Sequence, residues 1–320
     1  MGPAESVESD LKAASGHVLL AVQYGGLNAG LHTAEHPFVE VPTPVLGGTP
    51  WLEVWHSPER AECFRRGGLA WAEDGHALFG SCCRQLGRDL EHDTHAAFRD
   101  ILALLNERGY AGLQRVWNHV PAINEEQDGL ERYRRFNLGR ARAFEELYGV
   151  DAEQRFPASS AVGTVGDTFI ACFAAARSHG THLENPRQVS AYHYPRHYGP
   201  KSPSFARATV APPDWGPAFF LSGTASVVGH ETVRVGDPSG QLDETLINID
   251  ALLAEVATRT GRGIDFAHFD LVKVFIRERE HFPAIRETLA RRLGTETPVL
   301  YLHADICRSD LLVEIEGVAL

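Results

Sequence analysis

"AFFLS" (218–222), "DETLINIDALL" (243–253) and "LVKVFIRE" (271–278) read in chain order as strand, helix and strand. The outer two are short apolar runs rich in aromatic and β-branched residues, and the middle one repeats apolar residues at three- and four-residue spacing. An earlier stretch has the same order: "ALFGS" (77–81), "DTHAAFRDILALL" (93–105) and, after a glycine, "LQRVWNHV" (113–120). Both helices space aspartates seven apart, Asp93 to Asp100 and Asp243 to Asp250, with leucines just after. Any helix that packs between two strands would look somewhat like this. The preferred reading is a duplicated α+β unit.

Outward from this pair, strands are expected at 17–25, 69–83 (a hairpin around Asp74-Gly75), 161–176, 298–306 and in the last segment. Helices are expected over 92–108, 124–147, 241–260 and 279–294. A chain of 320 residues has room for two domains. They are placed at 1–150 and 151–320, each a mixed β-sheet covered by helices. Residues 1–15 read as a loose polar tail. "GTHLENPRQVSAYHYPRHYGPKSPSF" (180–205) is too aromatic for a linker and reads as an ordered loop near a site.

The formal charge of -12 argues against nucleic acid as a partner, and it means that an anionic substrate needs a local cationic site. No apolar run approaches the roughly 18 residues of a membrane span, and the start lacks a secretory signal, so a cytoplasmic protein is expected. Five cysteines without C-x-x-C or metal-finger spacing predict reduced thiols and no metal. With neither a phosphate loop nor a dinucleotide fingerprint nor a G-x-S-x-G elbow, no cofactor is expected.

Three places could carry chemistry. In "GLERYRRFNLGRARAFEELYG" (129–149), helical spacing lines up Tyr133, Asn137 and Arg140, a phenol, an amide and a guanidinium able to fix a carboxylate. The other arginines there suit surface pairs with neighbouring glutamates. "SGTASVVGH" (222–230) ends a strand with small residues that let a ligand approach, and "SFARAT" (204–209) offers Arg207 as an anion clamp. In "RSDLLVEIEGVAL" (308–320), Leu311, Val313 and Ile315 alternate with Leu312, Glu314, Glu316 and Val318. Period 2 alone does not tell a wet sheet face from a pocket.

The stretch "SGTASVVGHETVRVGDPSGQLDETLINIDALL" and the terminal "LLVEIEGVA" resemble the Rid (YjgF-type) superfamily. With "RYRRFNLGRARAFEELYG", "FARATV" and "YLHADICRSDLLVEIEG", the chain more closely resembles the chorismatases, two-domain enzymes of Rid-like fold that release pyruvate from chorismate. The resemblance implies two Rid-like units, chorismate as the small-molecule partner, a monomer or homo-oligomer, and a place in secondary metabolism. It also implies Glu314 as general acid, with Glu316 left in a secondary or solvent role. Tyr133, Arg140, Tyr194 and Arg207 would lie at the substrate, with Arg277 beside them. Ala225 and Cys307 fall where the family varies its pocket with product type, 3-hydroxybenzoate or a trans-dihydroxycyclohexadiene carboxylate. The arginine that Rid deaminases carry in the penultimate strand is replaced near Val299-Leu300-Tyr301. An imine or enamine deaminase and a non-catalytic binding protein are the alternatives.

Overall fold

Two six-stranded mixed sheets in the computed structural model share one topology. The first runs, in spatial order, Glu62–Arg66, Leu69–Glu73, Ala77–Gln85, Thr168–Ala176, Gly112–Pro121 and Ala158–Thr164. The second runs Thr181–Leu183, Ala208–Val210, Phe219–Ala225, Val313–Ala319, Leu271–Ile276 and Val299–His303. In each, three consecutive antiparallel strands are followed by helix, strand, helix and a parallel edge strand. The last strand of each unit then inserts antiparallel between the third and fourth. The expected α+β architecture of two units is present. The described residues are 17–26, 30–31, 35–87, 89–294 and 296–320, and the tail expected over 1–15 lies outside them.

The sheets correct the division expected between residues 150 and 151. Ala158–Thr164 and Thr168–Ala176 belong to the first sheet, so the units meet between residues 176 and 181. The apolar run 161–176 conceals a break: it is two strands, turned at Gly166 with φ 90°. The helix expected from 124 begins at Arg132, because Glu126–Gln127 and Leu130–Glu131 pair first, around Asp128 and Gly129 in left-handed conformation. A four-stranded sheet of Gly30–Leu31, Phe38–Val41, His17–Tyr24 and Trp51–Ser57 precedes both units.

Packing follows from the alternation. Leu90–Arg108, capped by Asp89 and Gly109, and Arg132–Tyr148 cover one face of the first sheet over Phe98, Phe136, Phe144 and Phe169. Pro238–Thr260, capped by Asp237, and Phe282–Leu293 do the same for the second over Leu246, Ile249, Phe219 and Val274. The opposite faces and the four-stranded sheet share a third core with Trp55, Phe79, Trp117, Phe220 and Phe275. Burying each such ring contributes on the order of 1.5–3 kcal/mol. All five cysteines are free thiols, and no helix among the described residues is long and apolar enough to cross a membrane.

Candidate active site

The strand Val313–Ala319 lies between Phe219–Ala225 and Leu271–Ile276, with Glu314 opposite Ala225 on one side and Phe275 on the other. Its alternation sends Val313 and Ile315 into the core beneath the helices and turns Glu314 and Glu316 toward the first unit. The neighbouring strand bulges there: Leu221 pairs with Gly317 and Thr224 with Ile315, so Ser222 and Gly223 together oppose Glu316. Ser222 Oγ donates to the Ala206 carbonyl (2.5 Å) and accepts from the Ser159 amide (2.9 Å), tying the bulge to the first unit. Gly223 sits against Glu314, where a β-carbon would collide with Oε1.

Glu314 is 3% exposed, and its Oε1 has no hydrogen-bond partner among the described residues. Burial, aided by the charge of Glu316, pushes its carboxyl up to about 8, against the pull of Arg115, Arg207 and Arg277. At neutral pH it keeps its proton. Glu316 overturns the expectation of a solvent glutamate, being 2% exposed. It accepts a hydrogen bond from Arg115 Nη2 (2.7 Å) and stands 3.4 Å from Lys273 Nζ. Burial works against its charge, yet Arg115 and Lys273 hold it below the usual carboxylate range.

Glu314 faces a cavity of about 230 Å³, whose wall includes Tyr133, Tyr194, Arg207, Ala225 and Cys307. Five of the seven residues expected beside Glu314 are therefore brought to it. Tyr194 accepts a hydrogen bond from Arg207 Nη2 (2.7 Å), and the guanidinium lies over the Phe205 ring. Burial pushes the Cys307 thiol up to about 12, with the neighbouring Glu314 adding to the effect, so it forms a neutral wall at pH 7 rather than a thiolate.

Arg140 and Arg277 stand apart from the wall. Arg140 is buried behind Asn137, donating to its Oδ1 (3.0 Å) and to Ser159 Oγ (3.4 Å) and lying over Phe136. No carboxylate pairs with it among the described residues, and burial pulls its pKa down to about 10. Arg277, expected beside the substrate, does not line the cavity. It pairs with Asp305 (2.5 Å) and donates to the carbonyls of Ile306, Arg308 and Leu311 and to Asn124 Oδ1. Its fork holds the loop that carries Cys307.

A family model described as chorismatase FkbO/Hyg5-like, N-terminal, matches residues 53–175. A 3-hydroxybenzoate synthase of Streptomyces hygroscopicus is 39% identical over 303 residues, covering 90% of this chain and 87% of that protein. A chorismatase of Streptomyces rapamycinicus is 40% identical over 300 residues, covering 91% and 89%. The chain belongs to the chorismatase family. Among solved structures, a chorismatase crystal structure superposes with a TM-score of 0.90 at 37% identity, over 95% of this chain and 93% of that one. The chorismatase likeness therefore spans both units.

Sequence reasoning missed several residues of this chorismatase-type site. Arg308 and Tyr198 line the cavity. The Arg308 guanidinium lies 4.2 Å from the Tyr198 ring centroid and donates to the His230 carbonyl, while its Nη2 has no hydrogen-bond partner among the described residues. Nothing local distinguished Arg308 from other loop arginines. Arg115 and Lys273 did leave a signal: each is a cation inside an otherwise apolar strand, "LQRVWNHV" and "LVKVFIRE". A charge there requires a buried partner.

Proposed function

We propose that the protein releases pyruvate from chorismate, with Glu314 as general acid. The observation that carries this reading is a buried carboxyl that keeps its proton at pH 7 and faces a cavity walled by Arg207 and Arg308. The relatives named chorismatase and 3-hydroxybenzoate synthase support the substrate. Chorismate carries two carboxylates and an enol ether. Arg207 and Arg308, with Arg140 acting behind Asn137, neutralise the dianion and orient the ether.

Glu314 gives its proton to the methylene carbon of the enol ether, leaving an oxocarbenium-like centre and a glutamate carboxylate. General acid catalysis of this type contributes about 10²–10⁴-fold. If water adds to the centre, the carboxylate takes its proton, and collapse yields pyruvate and the dihydroxycyclohexadiene carboxylate. If water is excluded, the ring hydroxyl attacks the adjacent ring carbon, its proton passes to the Glu314 carboxylate, and the C–O bond to pyruvate breaks. The resulting epoxide then opens to 3-hydroxybenzoate. Ala225 and the un-ionised Cys307 border the cavity where these routes part.

The test is to incubate the protein with chorismate, follow pyruvate with a coupled dehydrogenase, and separate the ring product by chromatography. Pyruvate release from the wild type, lowered about 10²–10⁴-fold in Glu314→Gln, is the expected result. Equal release from both would overturn the role of Glu314, and none from the wild type would overturn the reaction.

A further inference from the structure

We propose that Glu316 is a positioning residue that captures Arg115 and Lys273, so that neither can pair with Glu314 and the acid stays uncharged. This rests on the pyruvate-releasing reading above. Glu314 and Glu316 are two residues apart on one strand and turn to the same side of the sheet. Arg115 reaches in from Gly112–Pro121 of the first sheet, and its Nη2 bonds Glu316 (2.7 Å) and Ser160 Oγ (2.9 Å), while Nη1 has no hydrogen-bond partner among the described residues. Lys273 is the cross-strand partner of Glu316. It is held from its other side by Glu53 (2.7 Å) and donates to Tyr24 (3.0 Å).

The charges close without Glu314. Arg115 and Lys273 are balanced by Glu316 and Glu53, and His119 nearby is kept neutral by burial, its pKa pulled down to about 3. An ionised Glu314 would add an uncompensated negative charge to this buried cluster, which is costly in a low-dielectric interior. The other cations on this side have partners of their own: Arg207 bonds Tyr194, Arg277 pairs with Asp305, and Arg308 donates to the His230 carbonyl and to Thr232 Oγ1. Cys307 adds no charge at neutral pH. Among the described residues, no cation forms an ion pair with Glu314.

The experiment is the pH profile of kcat/KM for pyruvate release by the full chain, for the wild type and for Glu316→Gln, Glu316→Asp, Arg115→Met and the double variant Glu316→Gln/Arg115→Met. In Glu316→Gln, Arg115 is free to pair with Glu314. An opposite charge at contact distance lowers a carboxyl pKa by about 1–3 units, so the alkaline limb moves down by that amount and activity falls far more at pH 8 than at pH 5. Glu316→Asp retains the limb. Arg115→Met strips Glu316 of its partner and leaves that negative charge facing Glu314, so its limb moves up, and the double variant, which lacks both charges, returns toward the wild-type position.

A uniform loss across pH in Glu316→Gln, with the limb unmoved, would show a merely structural glutamate and overturn the proposal. If Glu316→Gln does not fold, an unmoved limb in Arg115→Met overturns it and an upward shift supports it. A wild type that releases no pyruvate would sink the reaction instead. Titration of the Glu314 carboxyl by ¹³C NMR, in the wild type and Arg115→Met, then decides the capture of Arg115 without turnover.

Discussion

Oε1 of Glu314 occupies the space that a side chain on Gly223 would fill. The bulge at Ser222-Gly223 brings the backbone close to the acid, and only a residue without a β-carbon leaves the carboxyl in place. Gly223→Ala forces the carboxyl or the bulge to move. Overpacking of this kind costs roughly 1–3 kcal/mol, and where that strain falls on the acid, kcat/KM drops by about 10- to 100-fold. Steady-state pyruvate assays paired with thermal melts measure both. Wild-type kinetics in a folded Gly223→Ala would refute the constraint.

The direction of the pH dependence follows from the proton that Glu314 must donate. The acid is competent only while protonated, so activity persists below about pH 8 and falls as pH rises through that value, by about tenfold per unit beyond it. Glu314→Gln should remove about 10²–10⁴-fold of the rate and flatten this limb. A limb near pH 4.5 in the wild type would contradict the buried, proton-bearing state.

Among the described residues Arg140 has no carboxylate partner, although it is 2% exposed. An unpaired buried charge carries a desolvation cost that an apolar side chain of similar length does not. Arg140→Met should therefore melt at or above the wild-type temperature while its KM for chorismate rises at least about tenfold. Differential scanning calorimetry and initial rates test the two halves separately. A variant that melts far lower with KM unchanged would assign Arg140 to the scaffold.

For Arg277 the opposite pattern is expected. Hydrogen bonds to a charged group contribute about 1.5–3 kcal/mol each, without simple additivity, and Arg277 supplies several to the loop that carries Cys307. Arg277→Ala should lower stability by roughly 2 kcal/mol or more, measured by urea unfolding, and weaken turnover through disorder of that loop. If stability is retained and only KM rises, Arg277 contacts the substrate after all.

The periodicities disclosed the duplication, since strand and helix each impose their own spacing, and they located the two strand–helix–strand cores that the sheets confirm. They misplaced the boundary because 161–176 reads as one strand, although Gly166-Asp167 turns the chain and returns both halves to the first sheet. The site was legible where a residue type was unusual for its surroundings, as with Tyr133 and Arg140 on one stripe or the aromatic loop bearing Tyr194. Glu316 was misread because alternation does not distinguish a strand face that meets water from one that meets a second sheet. That distinction depends on Arg115, 201 residues away in the chain. The loop-holding contacts of Arg277 were not legible because its partners, close in sequence to one another, become its neighbours only when the chain folds back.

The shared topology also fixes an order of synthesis. In each unit the strand that fills the middle of the sheet, Thr168–Ala176 or Val313–Ala319, is translated after all of its neighbours. On the ribosome, the second sheet remains split into two halves until residues 313–319 leave the exit tunnel, and the same segment delivers Glu314. A nascent chain therefore gains its acid and the strand that closes the sheet in one event, and a fragment stopped before residue 313 would have neither.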